Sequence, residues 1–411
     1  MVGGYGLNVW IVAHYANTPG AGGSLRYFYL SKSLVDRGHR VTVFAANYHH
    51  AGQTSLKGVK TTRIVEHSGV RFVLLPTSPY MGNGLDRVRN VLQFTWGAWR
   101  RGPKLAGDRP DVVIGSSVHP FAAWAGQRLA RRYGVPFVLE LTDIWPEVLI
   151  DMGAFGPRHP VAVALRRLVG FLYQRAALIV PLLPYAHEHI EQFGVPHDRV
   201  FYLPSGVDLS VFPATKAPAE PNPFTLIYVG SHGMSHGLHT LLQAAAELER
   251  EPAARPVSWR LIGYGYEKPA LEREAAELGL RSVRFEEGVP KECLPTLLAE
   301  ADGLVFSFRD LGAFGYGISP HKLFDYLAAQ RPIIFSCGAR NDPVAEAKAG
   351  LSVPPEDPQA MAEAIRQFVE LPPDERAEMG LRGRRYVEAY HDYERLGERL
   401  EKALKDLVVA A

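Results

Sequence analysis

Along most of this chain, short apolar runs suited to strands alternate with segments of helical spacing, and the alternation is broken once before it starts again. Strands separated by helices return parallel to one another, so the pattern prescribes helix-covered parallel sheets rather than hairpins. In the first half, Asn8–Ala13, Arg40–Ala46, Val70–Leu75, Asp111–Ser116, Phe137–Leu141 and Leu178–Pro181 read as strands, and Val200–Leu203 closes the series. Helical spacing falls between them at Ser24–Arg37, Leu85–Leu105, Phe121–Tyr133 and Val161–Ala177, with Gly38 and Gly134 as stops. Five prolines then occupy PSGVDLSVFPATKAPAEPNP, residues 204–223, a stretch with little periodicity that reads as a linker. Beyond it Phe224–Gly230, Trp259–Gly263, Val283–Glu286, Gly303–Ser307 and Ile333–Ser336 read as strands. Helices are expected at Leu238–Arg250, Lys268–Leu278, Lys291–Ala299, from Pro320 onward, at Pro358–Glu370 and at Pro373–Val409.

The expected fold class is therefore α/β, two doubly wound parallel-sheet Rossmann-like domains facing across a cleft. Residues 1–205 form the first, 206–223 the linker and 224–384 the second, with a last helix of about residues 385–411 packing back on the first. A net charge of +2 gives no reason to expect a nucleic-acid partner. Two cysteines, Cys293 and Cys337, stand in unrelated contexts without metal-ligand spacing, which fits a reducing compartment. MVGGYGLNVWIVAHYANTPG lacks a basic leader and reads as a first strand, and no run of about 18 uncharged apolar residues occurs.

Open parallel sheets bind ligands beyond the carboxyl ends of their strands, so the loops there carry the functional signal. YANTPGAGGSLR, residues 15–26, places Gly20, Gly22 and Gly23 before a helix, where backbone can approach an anion; the spacing is not that of a nicotinamide site. His119 follows a strand in SSVHP and suits a hydrogen bond to a substrate hydroxyl, acid/base work or a structural place at a helix start. ELTDIWPE, residues 140–147, gathers three acids, with Asp143 and Glu147 four apart as for one helical face. They suit acid/base work or, equally, a helix cap. GSHGMSHG, residues 230–237, repeats the strand–glycine–helix arrangement, with His232 and His236 toward a phosphate or sugar; two histidines without a third ligand do not make a zinc site.

The strongest of these loops is GAFGYGISPHKLFDYLAAQRP, residues 312–332. Pro320 suits a first helical turn, and Leu323, Phe324, Leu327 and Ala328 give one buried face. The free N–H groups of that turn attract an anion, Lys322 adds a cation, and Asp325 sets a carboxylate one turn on. That combination suits a ligand with both a phosphate and a diol. Separately, RVRNVLQFTWGAWRRGPK, residues 87–104, has five Lys/Arg, two tryptophans and no acid, and residues 152–187 are also free of acids. Such segments suit either an anionic bilayer or an arginine-rich solvent face over a packed core.

Taken together, PGAGGSLRYFYLSKSLVDRGHRVTVF, SSVHPFAAWAG, ELTDIWPE, LPSGVD, YVGSHGMSHGLHTLL, VPKECLPTLLAEAD, SPHKLFDYLAAQRPII and LSVPPEDPQAMAEAI resemble the retaining glycosyltransferases of family 4, which have the GT-B fold. The similarity runs nearly end to end and is nearest to bacterial transferases of O-antigen and exopolysaccharide synthesis, such as the N-acetylfucosamine transferases.

The resemblance implies a nucleoside-diphosphate sugar, with UDP expected, held mainly by the C-terminal domain. Asp325 matches the second acid of the family's E-x7-E motif, which contacts the ribose. Ser319, His321 and Lys322 match the diphosphate site, His232 and Gly233 face the same phosphates, and Gly22 and Gly23 approach from the other domain. His119 matches a histidine that contacts the donor sugar, and His119, Lys322 and Asp143 are the expected catalytic residues. A lipid-linked or saccharide acceptor is expected near Arg26 and Glu147. No metal and no cofactor are expected, nor any nucleic acid; the expected place is the cytoplasm, with peripheral contact at the inner face of an anionic membrane. Three positions depart from the family. Gly317 stands where the first motif glutamate belongs, GSHGMSHG replaces a basic pair, and Thr142 stands where relatives often carry arginine. These departures leave open a non-catalytic GT-B partner subunit.

Overall fold

The computed structural model describes residues 6–21, 23–48, 61–80, 82, 84–213 and 222–410. The chain divides into two compact units, residues 1–205 with 393–411, and residues 206–392.

The first unit is built on β1 (Asn8–Val12), β2 (Arg40–Ala46), β3 (Arg63–His67), β4 (Val70–Leu75), β5 (Val112–Ser116), β6 (Phe137–Leu141) and β7 (Leu178–Pro181). Their order is β3-β4-β2-β1-β5-β6-β7, parallel except for β3 against β4. All of NVWIV in β1 is buried, as a central strand covered on both faces requires, and Trp10 lies opposite Thr42 on one side and Val113 on the other. The antiparallel β3 was not anticipated; RIVEH is an exposed edge strand whose charges hide the apolar alternation. Val200–Leu203 is not a strand. Phe201 and Leu203 donate to the carbonyls of Ile179 and Pro181, satisfying the outer edge of β7 without continuing the sheet. The expected helix Leu85–Leu105 is two, Leu85–Arg100 and Gly102–Ala106, because Pro103 starts a new first turn.

The second unit holds β8 (Phe224–Val229), β9 (Val257–Ile262), β10 (Val283–Glu286), β11 (Gly303–Ser307), β12 (Ile333–Ser336) and β13 (Gly350–Val353), in the order β10-β9-β8-β11-β12-β13 and parallel throughout. Neighbouring residues of a strand feed opposite layers. Ile227, Leu304 and Phe306 pack with Leu323, Phe324 and Leu327 of the helix His321–Ala328, whereas Leu226 and Val305 pack with Leu241, Leu242, Ile365 and Phe368.

The expected long helix Pro373–Val409 is likewise two, Pro373–Tyr390 in the second unit and Tyr393–Val409 in the first. At the break, the Val207 amide donates to the His391 carbonyl at 2.8 Å and the His391 ring stacks on Phe324, 3.9 Å between centroids. Tyr393, Leu396, Leu400 and Leu404, at helical spacing, then join Leu30 and Leu34 in the core of the first unit. Residues 214–221 of the proline-rich stretch lie outside the described residues.

Each sheet has its first strand inside, so the chain leaves it in one direction and later returns on the other side. The loops after β1 and β5, and after β8 and β11, flank these switch points.

Candidate functional site

In the second unit the loop after β8 is locked backbone to backbone onto the loop after β9. Gly230 N donates to Ile262 O at 3.0 Å and His232 N to Tyr264 O at 2.8 Å. A Cβ at Gly263 would strike the Gly230 carbonyl, and one at Gly265 the His232 carbonyl. The glycines of Gly263-Tyr264-Gly265 thus serve close loop packing, and they seat His232 at the head of β8. His232 is fully buried, and among the described residues neither of its ring nitrogens has a hydrogen-bond partner. Burial, with Lys268 and Lys322 nearby, pulls its pKa down to about 4, so it is a neutral imidazole able to donate and accept.

Lys322, on the second residue of His321–Ala328, points into a box of rings. Its Nζ lies 4.5 Å from the centroid of Tyr228, 4.9 Å from Phe306 and 5.1 Å from Phe308. It donates to Tyr228 Oη at 3.0 Å and to His236 Nδ1 at 3.1 Å. Burial lowers the Lys322 pKa to about 7 and that of His236 to about 2, so His236 is the neutral acceptor of this pair. Here the sequence pointed to two separate signals, a lysine on one helix and a histidine loop; the fold makes them one cluster. Pro320 is the N-cap, so the helix begins at His321, one residue later than expected, and Ser319 and His321 flank the cap.

Asp325 is buried one turn further and forms an ion pair through Oδ2 with Lys291, a residue with no role in the sequence reading. Burial raises its pKa, and Lys291 opposes that rise. Gly317 closes a turn of 3₁₀-helix at φ 87°, ψ 177°, a conformation open almost only to glycine. Asn341 holds the next residue, Ile318, by two reciprocal bonds: Ile318 N donates to Asn341 Oδ1 at 2.7 Å, and Asn341 Nδ2 donates to the Ile318 carbonyl at 3.0 Å. The backbone here is thus shaped for glycine, and a glutamate cannot simply be put back. Gly317→Glu is expected to cost about 1–3 kcal/mol of stability and to bring no gain in activity; a thermal melt and an assay of the variant check both.

In the first unit the structure joins His119 to a histidine absent from the sequence reading. His14, two residues beyond β1, and His119, three beyond β5, meet across the switch point with 2.6 Å between His14 Nδ1 and His119 Nε2. His119 is also the N-cap of Pro120–Tyr133, its Nδ1 accepting from the Ala122 amide at 3.1 Å. An accepting Nδ1 carries no proton, so neutral His119 is protonated on Nε2 and donates to His14. Burial, reinforced by Arg87, lowers its pKa to about 3. His119 is therefore a neutral imidazole at pH 7 that caps a helix and hydrogen-bonds His14. The signal for His14 was its place, a polar residue directly past a fully buried strand.

Two other assignments need correction. Arg26 does not face an acceptor. It is 2% exposed, its Nε is 2.8 Å from Glu140, and its other nitrogens donate to the carbonyls of Pro204 and Leu203 at 2.5 and 3.1 Å. Tyr27 bonds the second Glu140 oxygen and Ser116 Oγ. Asp143 and Glu147 do not share a helical face, because the helix Glu147–Asp151 begins only after Pro146. Asp143 is exposed and accepts from Thr142 at 3.3 Å, whereas Glu147 pairs with Arg166 at 2.8 Å. Gly23 adopts φ 73°, and Gly22 lies outside the described residues.

Residues 22–206 match the glycosyl transferase 4-like domain and residues 223–370 the glycosyl transferases group 1 domain. The chain is 27% identical over 277 residues to the probable glycosyltransferase WbjE of Pseudomonas aeruginosa, covering 64% of this chain and 67% of that protein. It is 27% identical over 227 residues to WcaL of Escherichia coli, a putative colanic acid biosynthesis glycosyltransferase, covering 54% of each. Among solved structures, sucrose-phosphate synthase from Thermosynechococcus elongatus superposes with a TM-score of 0.79 at 18% identity, over 98% of this chain and 100% of that one. HepE of Anabaena, solved with UDP and glucose, superposes with a TM-score of 0.67 at 16% identity, over 98% and 100%. With two glycosyltransferase domains matched in series and the GT-B architecture throughout, the chain belongs to the family 4 type of glycosyltransferases.

Proposed function

We propose that this glycosyltransferase moves a hexosyl or N-acetylhexosaminyl group from a nucleoside-diphosphate sugar, UDP first among the nucleotides, to a lipid-linked or saccharide acceptor of a cell-surface polysaccharide. The observation that carries the donor reading is the cluster of Lys322, His236 and Tyr228 at the switch point of the second unit, with Asp325 one turn away. A diphosphate reaching Lys322 restores the ammonium that burial weakens, and the first-turn amides of His321–Ala328 with Ser319, His232 and Gly233 supply further donors. Asp325 receives the ribose hydroxyls. In the first unit, His119 with its partner His14 is the candidate contact for the donor sugar. The names of WcaL and HepE support the polysaccharide context and the UDP donor.

The anomeric configuration is retained in this reading. The bond from the anomeric carbon to the diphosphate oxygen breaks with its electrons leaving on the diphosphate. The acceptor oxygen bonds the same face, and its proton passes to the departing phosphate. Charge on that phosphate is met by Lys322 and backbone amides, so the step calls for no metal and no cofactor. Incubation of the purified chain with UDP-, GDP- and dTDP-sugars tests the reading: release of nucleoside diphosphate from one of them is expected. Binding of none and hydrolysis of none favours the second reading, a GT-B partner subunit without catalysis, which the glycine-only backbone at Gly317 supports.

Contact with the cytoplasmic face of an anionic membrane belongs to the same proposal. Leu85, Val88, Leu92 and Trp96 form one exposed apolar line along the helix Leu85–Arg100, with Arg89 beside it. Trp99 is not part of that line, since it packs edge-on to Trp124 at 5.6 Å. Among the described residues no helix is long and apolar enough to cross a membrane. Trp96→Ala is expected to reduce co-sedimentation with anionic liposomes, and Trp99→Ala to act through stability instead; equal pelleting of wild type and Trp96→Ala would refute the docking line.

A further inference from the structure

Asp325 presents a physical difficulty for a sugar-binding carboxylate. Its side chain is 5% exposed, and burial favours the neutral acid over the charged form. A ribose diol is held best by an ionised carboxylate, which accepts from its hydroxyls, whereas a protonated acid has lost part of that capacity. Something must keep Asp325 charged inside the unit.

Lys291 is placed to do so. It opens the turn Lys291–Cys293 in the connection after β10, and its ammonium bonds Asp325 Oδ2 across 34 residues of chain. No other basic side chain pairs with Asp325 among the described residues. On its own helix, Lys322 one turn back is committed to Tyr228 and His236, and Tyr326 is bonded to the backbone of Val229. The ion pair engages one carboxylate oxygen only, leaving Oδ1 as the acceptor for an incoming hydroxyl. Lys291 itself is 24% exposed, so it reaches the carboxylate from the solvent side of the unit without being sealed in.

We propose that Lys291 is a positioning residue of the donor site, holding Asp325 ionised and its free oxygen turned toward the ribose hydroxyls of the nucleotide. The inference rests on the reading of Asp325 as the ribose carboxylate and adds the residue that makes that role chemically workable. Because Lys291 acts on the ribose alone, its loss should erase preference for the diol and leave recognition of base and phosphates in place. A lysine with a purely structural role would weaken all nucleotides together.

The test is calorimetric titration of the full chain with UDP and 2′,3′-dideoxy-UDP, and with GDP and its dideoxy counterpart, for wild type, Lys291→Met, Lys291→Arg and Asp325→Asn. Wild type is expected to prefer the ribonucleotide by roughly tenfold, the scale of a hydrogen bond to a charged group. Lys291→Met should bring that ratio close to one while the dideoxy nucleotide binds as before, and Lys291→Arg should keep most of it. A Lys291→Met protein that discriminates as wild type does overturns the proposal and leaves the ribose reading standing. Equal binding of both nucleotides by wild type, or of neither, overturns the ribose reading and the proposal with it. Asp325→Asn, which keeps the shape of the side chain, reports whether the ribose preference depends on the carboxylate at all.

Discussion

Exchanging Lys322 for methionine is expected to lower kcat/KM for the sugar-nucleotide donor roughly tenfold or more, read from steady-state release of nucleoside diphosphate. The fold should survive the change, because methionine fills the same slot among Tyr228, Phe306 and Phe308 and removes a charge that burial disfavours. What is lost is the cation that meets the departing diphosphate. The pH dependence carries a second signature. Lys322 titrates at about 7 in the unliganded chain, so wild-type kcat/KM should fall as pH rises above that value and the ammonium is lost. The methionine variant should lack this limb. Stability moves the opposite way. Between about pH 7 and the ordinary lysine range, the unfolded chain binds a proton that the folded chain has released, so unliganded wild type gains stability as pH climbs through that window. Lys322→Met removes that slope. A variant with unchanged donor kinetics would remove Lys322 from the donor site.

Arg26→Met should give the largest loss of stability, about 3–5 kcal/mol, because it leaves Glu140 charged and buried beside no cation. The pair is 2% and 5% exposed at 2.8 Å, and Arg26 also ties the carbonyls of Leu203 and Pro204 to the first helix of its unit. A melt should show the transition falling on the order of 10 °C. Adding Glu140→Leu to the variant should recover part of the loss, since it removes the stranded charge. A melt unchanged within about 1 °C would contradict the account of Arg26 as a brace, and would reopen its assignment to the acceptor.

The two parallel sheets were readable because their strands are buried on both faces and so appear as unbroken apolar runs; NVWIV and GLVFS are examples. The strands that escaped, RIVEH and GLSV, are edge strands, where solvent permits charges and small residues. The break at His391–Asp392 escaped for a different reason. Nothing in the local periodicity of residues 373–409 marks it, and it is imposed by Val207 and Phe324 from distant parts of the chain. The same division holds at the site. Lys322 and Asp325 could be picked out because a helix start with a cation and a carboxylate has a local signature. Their partners His236 and Lys291, and the pairing of His14 with His119, are products of strand order. Arg26 was misread because residue type and loop position say nothing about burial, and burial decides whether an arginine meets a ligand or a glutamate of its own unit.

The most direct measurement of the donor reading is a thermal-shift series of wild type and Lys322→Met against UDP-, GDP- and dTDP-sugars. A ligand at a hundredfold excess over its Kd stabilises the folded state by about 2.7 kcal/mol, a readily measured shift. The account predicts that at least one nucleotide sugar raises the wild-type midpoint and that the same compound leaves Lys322→Met nearly unmoved. No shift for any compound with wild type, or an equal shift in both proteins, would contradict it.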